Sequence, residues 1–356
     1  YSDRLIDLKD NEYIDLFEKE INKDNLNLTA GRSVACVDRK GDGMYGFYVA
    51  NYGGPTRFYE MSNKKIIDKA SELGLDKITG GRSVVSGHIL SNNIDIFAAN
   101  ERGSNFLYKN VDGIFFDMAA SQRVLDTYQN GRGTVLSDIL YRGNLDIING
   151  NWDGYHRLFV KRENFFEDIA TSPFNTPSKI RTVISADFDN DGFDEVFMNN
   201  IGEPNKLFKI LDNGKVKEIS IKTALEPNGL GTGAAVADID NDGILELLIS
   251  HGEVGLQKLT LYKANIVKKK NFIRIKPLNK NGAPARGATV TLISNKRKHA
   301  KTIDSGSGYL CQMEPVAHYG IRDKEEDFLV KIRWTNGEES TYKINEVGKT
   351  YTYTQK

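Results

Sequence analysis

Two stretches of this chain bring acidic residues together at a spacing that suits a hard cation. One reads Asp187-Phe-Asp189-Asn-Asp191-Gly192-Phe193-Asp-Glu195, the other Asp238-Ile-Asp240-Asn-Asp242-Gly243-Ile244-Leu-Glu246. Carboxylates at the first, third and fifth positions converge when such a loop curls, and glycine at the sixth permits the sharp turn. The backbone carbonyl of Phe193 or Ile244 follows at the seventh position and Glu195 or Glu246 at the ninth, completing an all-oxygen shell that favours Ca2+ over zinc. An EF-hand needs helical flanks and a Glu at position twelve; here the flanks read as strands and the last acid comes at nine. A solvated Asp/Asn turn explains one such loop by chance, but not easily two at the same phase of a repeat.

Two further turns fall at that phase and depart from the pattern. Asp38-Arg-Lys40-Gly-Asp42-Gly43 has lysine at the third position. Asp138-Ile-Leu140-Tyr-Arg142-Gly143-Asn-Leu-Asp146 has leucine and arginine at ligand positions. The expectation is that these turns hold no metal, and that Lys40 and Arg142 supply the positive charge internally by pairing with the remaining aspartates. The stretch from Ser86 to Asp95 lacks the loop altogether.

A second set of residues shares another phase. Arg32, Arg82, Arg132 and Arg181 stand at the start of what reads as an inner strand, and Tyr52, Trp152, His156 and His251 fall near the same end of the repeat. Guanidinium groups ringed beside aromatics can take an acidic ligand, such as a uronate or a carboxylate side chain. The competing reading pairs each arginine with an acid or carbonyl of a neighbouring repeat. The calcium loops fall at the opposite face. His299 and His318 have no partners at a recognisable spacing, which points to a core or surface role. No G-x-S-x-G elbow, H-E-x-x-H helix or phosphate loop is present, and the acid pairs with clear geometry are the calcium ligands, so none stands free for glycosidase work.

These residues are positioned by a repeat. Segments opening at Gly31, Gly81, Gly131, Ile180 and Gly231 recur at intervals of 50, 50, 49 and 51 residues. In each, a second strand follows (FYVAN, DIFAAN, DIINGN, EVFMNN, ELLISH), then a third that often contains an aromatic; the first four have a fourth. Four short strands per period make a propeller blade, and stacking blades about an axis buries the faces that one blade cannot bury alone. Paired helices do not fit, because the apolar residues alternate with period two. The predicted repeats span 29–79, 80–129, 130–178, 179–229 and 230–270. Residues 1–28 read as the outer strands of an incomplete blade. Residues 271–356 give further strands (FIRIKP, ATVTLI, FLVKIRW, STYKIN) and read as a separate β-domain.

Composition narrows the function. Lysine plus arginine and aspartate plus glutamate both number 48, so no net charge draws the chain to nucleic acid or an anionic membrane. The one dense basic run, Lys268 to Lys270, is too short for a polybasic arm. No apolar stretch approaches the length of a membrane span. Cys36 and Cys311 read as two buried thiols, with a disulfide between them left open.

The acidic loops resemble those of FG-GAP propellers, D-x-D-x-D-G-x-x-D, as in integrin α-subunits. More closely, the chain resembles the cartilage acidic protein family, in which such blades precede a UnbV/ASPIC domain. That match is carried by GRSVACVDRKG (31–41), GNWDGYHRL (150–158), RTVISADFDNDG (181–192), SHGE (250–253) and DSGSGYLCQMEPVAHYG (304–320). The resemblance implies a seven-bladed propeller, calcium binding, a secreted, extracellular or periplasmic location, and a role in adhesion or receptor contact rather than catalysis. Against the family pattern, the start falls in mid-blade, so that a further segment or chain is expected to complete the ring. Two cysteines leave no EGF-like tail, glutamate replaces aspartate at the ninth loop position, and Gly320-Ile321-Arg322 replaces Gly-Leu-Gly. The expected fold is all-β, an FG-GAP-type β-propeller with five full repeats and a half blade, followed by a UnbV/ASPIC module. The expected function is non-enzymatic binding of a protein or an acidic glycan, stabilised by calcium. A polysaccharide lyase or hydrolase, or a lectin-like propeller, is the alternative.

Overall fold

A computed structural model describes residues 2–265, 271–306 and 309–356; the basic run 268–270 lies outside them. Five antiparallel blades follow one another along the chain, opened by Ala30–Val37, Ile78–Gly87, Gly131–Ser137, Ile180–Ala186 and Gly231–Ala237, the first two joined into one eight-stranded sheet where Gly46–Pro55 pairs with Ile78–Gly87. The first four are four-stranded meanders, as in Ile180–Ala186, Glu195–Asn200, Lys206–Ile210 and Val216–Ile219, where each strand pairs with the next. The fifth has three strands, ending at Thr260–Lys263. This is a five-blade propeller arrangement. The second strands Asp95–Asn100, Asp146–Asn151 and Glu195–Asn200 are buried at every residue. Blades cover both their faces, so apolar residues need not alternate with polar ones. Between the second and third blades, Phe97 and Leu107 pack against Leu136, Ile147 and Phe159.

The inner strands share one irregularity that the spacing alone does not disclose. In every blade the pairing register slips at the second residue of the opening turn, between Gly31 and Ser33, Gly81 and Ser83, Gly131 and Gly133, Ile180 and Thr182, and Gly231 and Gly233. The residue carried on each bulge is Arg32, Arg82, Arg132, Arg181 or Thr232. A bulge leaves its residue out of the ladder and re-aims the side chain.

Ahead of the first blade, Ile6–Lys9 and Glu12–Asp15 form a two-stranded sheet, and Leu16 and Phe17 pack on Val49, Tyr59 and Ile66. The C-terminal module is built of two sheets. Ala317–Gly320, Phe272–Leu278 and Lys349–Thr354 form one; Lys298–Thr302, Thr289–Ile293, Leu329–Arg333 and Glu339–Lys343 form the other. Ile273, Val290, Tyr319, Ile332 and Trp334 fill the space between them. Lys298–Thr302, Ala317–Gly320 and Lys349–Thr354 are strands beyond those the sequence reading named.

A segment of this module returns to the propeller. The Ser305 carbonyl accepts from Cys36 N at 2.6 Å, and the Ser305 hydroxyl lies 2.6 Å from that of Ser86. Tyr309 O accepts from Thr182 Oγ1 at 2.8 Å, and Met313 Sδ from Val236 N at 3.3 Å. These partners belong to the inner strands of the first, second, fourth and fifth blades, so the segment runs where those strands converge. Among the described residues, no helix is long and apolar enough to cross a membrane. Burial raises the Cys36 and Cys311 thiols to about 11 and about 12, which favours their protonated form at neutral pH.

Candidate metal centres and the axial face

The first carboxylate of each loop builds the turn. Asp187 Oδ1 accepts from Asp191 N at 3.0 Å and its Oδ2 from Gly192 N at 2.8 Å. Asp38 and Asp138 make the same pair of bonds, to Asp42 and Gly43 and to Arg142 and Gly143, although their loops depart from the motif. In all four loops the sixth residue has φ between +81° and +83°, a region open to glycine and closed to most side chains. The turn therefore forms with or without a full set of ligands. In the second blade, which lacks the motif, Asp95 Oδ2 performs this task from the other end by accepting from Ile89, Leu90 and Ser91 N.

Where the motif is complete, the remaining acids gather. Asp187, Asp189 and Glu195 each offer an oxygen within 4.8 Å of the others, as do Asp238, Asp240 and Glu246. Asp191 and Asp242 flank the same points and accept from Phe193 N and Ile244 N, at 3.0 and 2.9 Å. A lysine from the third strand reaches into each cluster. Lys209 Nζ contacts Asp189 at 3.2 Å, Glu195 at 2.8 Å, and Asp191; Lys263 Nζ contacts Asp240, Asp242 and Glu246 at 2.7, 3.0 and 2.7 Å. The two ammonium groups mark the points where three carboxylates converge on positive charge. Burial pushes Asp187 up to about 7, with Asp194 and Asp191 adding to the shift, and Glu195 rises well above its ordinary range through burial and Asp187. Asp238 Oδ1 is buried without a hydrogen-bond partner. Buried carboxylates that repel one another and an unsatisfied oxygen are what a divalent cation relieves. The residues fit Ca2+.

The expected stand-in cations at the degenerate turns are a different matter. Lys40 is exposed and forms no ion pair with Asp38 or Asp42, and Arg142 forms none with Asp138 or Asp146. The Arg142 guanidinium instead reaches Lys161 O at 3.3 Å. Backbone amides replace the charge. Asp138 Oδ2 also accepts from Ala300 N at 3.0 Å, and Asp146 accepts from Ile139 and Lys161 N at 3.0 and 2.7 Å. These donors, already fixed by the strands, offset part of the cost of burying each charge, although burial still raises Asp138 to about 6 and Asp146 to about 7.

The C-terminal module caps this loop face. Asp38 Oδ2 accepts from Thr335 Oγ1 at 2.6 Å, Asp187 Oδ2 from Gly320 N at 3.0 Å, and Asp238 Oδ2 pairs with Arg274 at 2.9 Å. His318 Nε2 lies 2.6 Å from Asn190 Oδ1, and His299 Nε2 lies 3.2 Å from Asp194 Oδ2. Burial drives both histidines down to about 3, so they bond as neutral rings. With Ala300 N on Asp138, the first aspartate of all four loops carries a bond from the module.

At the opposite end, the bulge arginines interleave with residues that follow the second strands. Tyr52 lies between Arg32 and Arg82, at 5.8 and 4.2 Å, and Trp152 between Arg132 and Arg181, at 4.9 and 4.6 Å. Glu101 joins the two groups, accepting from Arg82 Nε at 2.6 Å and pairing with Arg132 at 2.9 Å; Arg181 pairs with Glu253. Arg82, Arg132 and Arg181 are buried, and the Tyr309 hydroxyl stands within 3.5 Å of Arg82. Burial and the neighbouring Arg82 pull Arg132 down to about 10. Arg132 and Arg181 thus pair with acids of an adjacent blade, as in the competing reading, whereas Arg82 takes Glu101 of its own blade and stacks on Tyr52 of the preceding one, and Arg32 contacts Tyr52 of its own blade. His156 does not face this surface: it is fully buried, accepting from Asn151 N at 3.1 Å and bonding to Ser178 Oγ. His251 is bonded to Glu226 at 2.8 Å. The asparagines that close the second strands, Asn51, Asn100, Asn151 and Asn200, each donate to the carbonyl four residues on and fix the following loop.

Comparison with known proteins agrees with this architecture. Residues 187–249 match the family model described as FG-GAP-like repeat, and residues 278–356 that described as ASPIC and UnbV. Cartilage acidic protein 1 of Xenopus tropicalis is 44% identical over 376 residues, covering 97% of this chain and 58% of that protein. The protein of the same name from Homo sapiens is 44% identical over 367 residues, covering 95% and 55%. The chain thus spans little more than half the length of the curated relatives it matches. Among solved structures, the BP39L lectin from Burkholderia pseudomallei aligns at a TM-score of 0.45 and 11% identity, over 91% of this chain and 89% of that one, which is too distant to argue from. Over the region it shares with these relatives, FG-GAP-like repeats followed by an ASPIC and UnbV domain, the chain belongs to the cartilage acidic protein family.

Proposed function

We propose that the chain is a calcium-stabilised, exported interaction protein without catalytic activity. The observation that carries this reading is the pair of carboxylate clusters at one repeat phase, the first gathered around a buried point that demands positive charge and the second more open to solvent. Asp187, Asp189, Asp191 and Glu195 would hold one Ca2+ with the Phe193 carbonyl, and Asp238, Asp240, Asp242 and Glu246 the other with that of Ile244. The ion supplies charge and fixed coordination rather than reactivity. It would rigidify a turn whose first aspartate is also a docking point for the C-terminal module, which makes it a clasp between the two parts. A non-catalytic role is supported by the axial end, where Glu101 is already paired with two arginines and the returning segment lies along the inner strands. An exported location is supported by the relatives' name and by the millimolar calcium that such loops use outside cells.

Calorimetric titration of EDTA-treated protein tests the reading. Two calcium ions per chain are expected, falling to one in Asp187→Asn/Glu195→Gln and to one in Asp238→Asn/Glu246→Gln. A wild-type chain that takes up no calcium, or an unchanged count in both variants, defeats it.

A further inference from the structure

Arg142, which does not make the ion pair expected of it, keeps other company. The third blade's loop and the four-stranded sheet of the C-terminal module enclose a cavity of about 220 Å3. Its lining includes five cationic side chains, Arg142, Lys161, Lys298, Lys331 and Arg333, and no carboxylate. An isolated bridge between Arg142 and Lys298 joins the two backbones at its edge. Compensation for this charge is partial. Glu339 pairs with Lys331 at 3.1 Å and with Arg333 at 2.9 Å. Lys161 donates to the Ile89 carbonyl, and Asp95 and Asp146 lie near enough to oppose the fall that burial imposes on its pKa. Arg142 and Lys298 form no ion pair among the described residues, although Arg142 stands near enough to Asp138 and Asp146 to oppose the rise that burial imposes on the pKa of both. The polar wall includes His88, which is 5% exposed; its Nδ1 is bonded to Thr289 Oγ1 at 2.9 Å, and its ring also lies against the Trp334 backbone.

Like charges crowded around a small space destabilise the fold unless an anion offsets them, and the donors here approach from a blade on one side and a sheet on the other. Three of the five are lysines, which act as point charges and suit a tetrahedral oxyanion better than a planar carboxylate. The geometry points to an anion-binding pocket between the propeller and the C-terminal module that takes a sulfate or phosphate group, presented as an ester on a larger ligand. The pocket uses none of the calcium ligands, so its failure would leave the calcium reading untouched.

The test is calorimetric titration of the whole chain, in chloride buffer containing calcium, with sodium sulfate, glucose 6-phosphate and a trisulfated heparin disaccharide. Saturable binding of at least one probe is expected. Arg142→Gln/Lys298→Gln should weaken it by about tenfold or more, whereas Lys215→Gln, an exposed cation outside the pocket, should leave it unchanged. Tighter binding of the disaccharide than of glucose 6-phosphate assigns a sulfate ester, and the reverse order assigns a phosphate. Both replaced side chains are exposed and two like charges are removed, so a melting temperature no lower than wild type is expected; if the double variant fails to melt cooperatively, Lys298→Gln alone carries the comparison. Binding that survives the substitutions, or no binding of any probe to the wild type, overturns the proposal.

Discussion

Lys209 and Lys263 show how a loop motif can omit a residue that governs it. Each lies opposite the ninth-position glutamate, Glu195 or Glu246, on the paired strand, and each reaches three loop carboxylates. An ammonium held in this way competes with a divalent ion for the same oxygens. Lys209→Met is expected to tighten calcium at 187–195 by about tenfold or more and to lower the melting temperature of the EDTA-treated protein. Equal affinities in a calorimetric titration would show that the lysine stands aside. Glu101 poses the converse case, a single buried carboxylate between Arg82 and Arg132. Glu101→Gln leaves two buried guanidinium groups facing each other and should cost about 3–5 kcal/mol, the usual price of removing one partner of a buried ion pair. Urea unfolding reads this directly, and a loss under about 1 kcal/mol would mean that the aromatic stacking alone holds the arginines.

At the scale of the strand, the repeated bulge explains why the Gly-Arg turn recurs. The arginine must leave the ladder to reach an aromatic of its own or the neighbouring blade, and the residues before it must let two backbones come close. Gly80 is the tightest case: a Cβ there would lie 1.9 Å from the Glu101 carbonyl oxygen. That oxygen is backbone and cannot swing away, so Gly80→Ala should destabilise by about 2–3 kcal/mol. A melting temperature equal to wild type would mean that the strand opening is softer than its contacts indicate. The same elements account for the acidic turns. The first aspartate and the sixth glycine are legible as a calcium motif, yet at Asp38 and Asp138 they build the turn from backbone bonds without the other ligands. Sequence reasoning therefore locates these loops while assigning Lys40 and Arg142 a direct pairing that the structure does not contain; backbone amides take that place.

Across the whole molecule, burial of neutral histidine sets a pH dependence. His88, His156, His299 and His318, four of the five histidines, are each pushed down to about 3, burial being the leading cause. Their folded pKa lies below the unfolded value of about 6.5, so the stability they contribute is intact above that pH. It is lost as pH falls through the window from about 6.5 towards 3, by at most about 1.4 kcal/mol per group per pH unit. Asp38, Asp95, Asp138 and Asp146 act in the opposite sense: burial raises all four, the last two to about 6 and about 7, so they penalise the fold near neutrality, and that penalty fades on acidification. The four histidines, whose unfolded pKa of about 6.5 lies inside the window, set the expected sign. In saturating calcium, which keeps the loop carboxylates ionised, the melting temperature should fall steadily from pH 7 to pH 5. A flat or rising profile by calorimetry contradicts this account. What the sequence by itself determined was the blade repeat, the all-β class, the positions of the acidic loops and the separate C-terminal module. Those features rest on period-two alternation and on glycine and aspartate spacing within about fifty residues. Only the tertiary structure decided that the arginines are stapled between blades, that the module roofs the loops and sends a segment along the inner strands, and that Arg142 lines a cationic cavity. Each of these depends on residues from different blades, or more than a hundred positions apart, being brought into contact. Local periodicity carries no record of which side chains will meet.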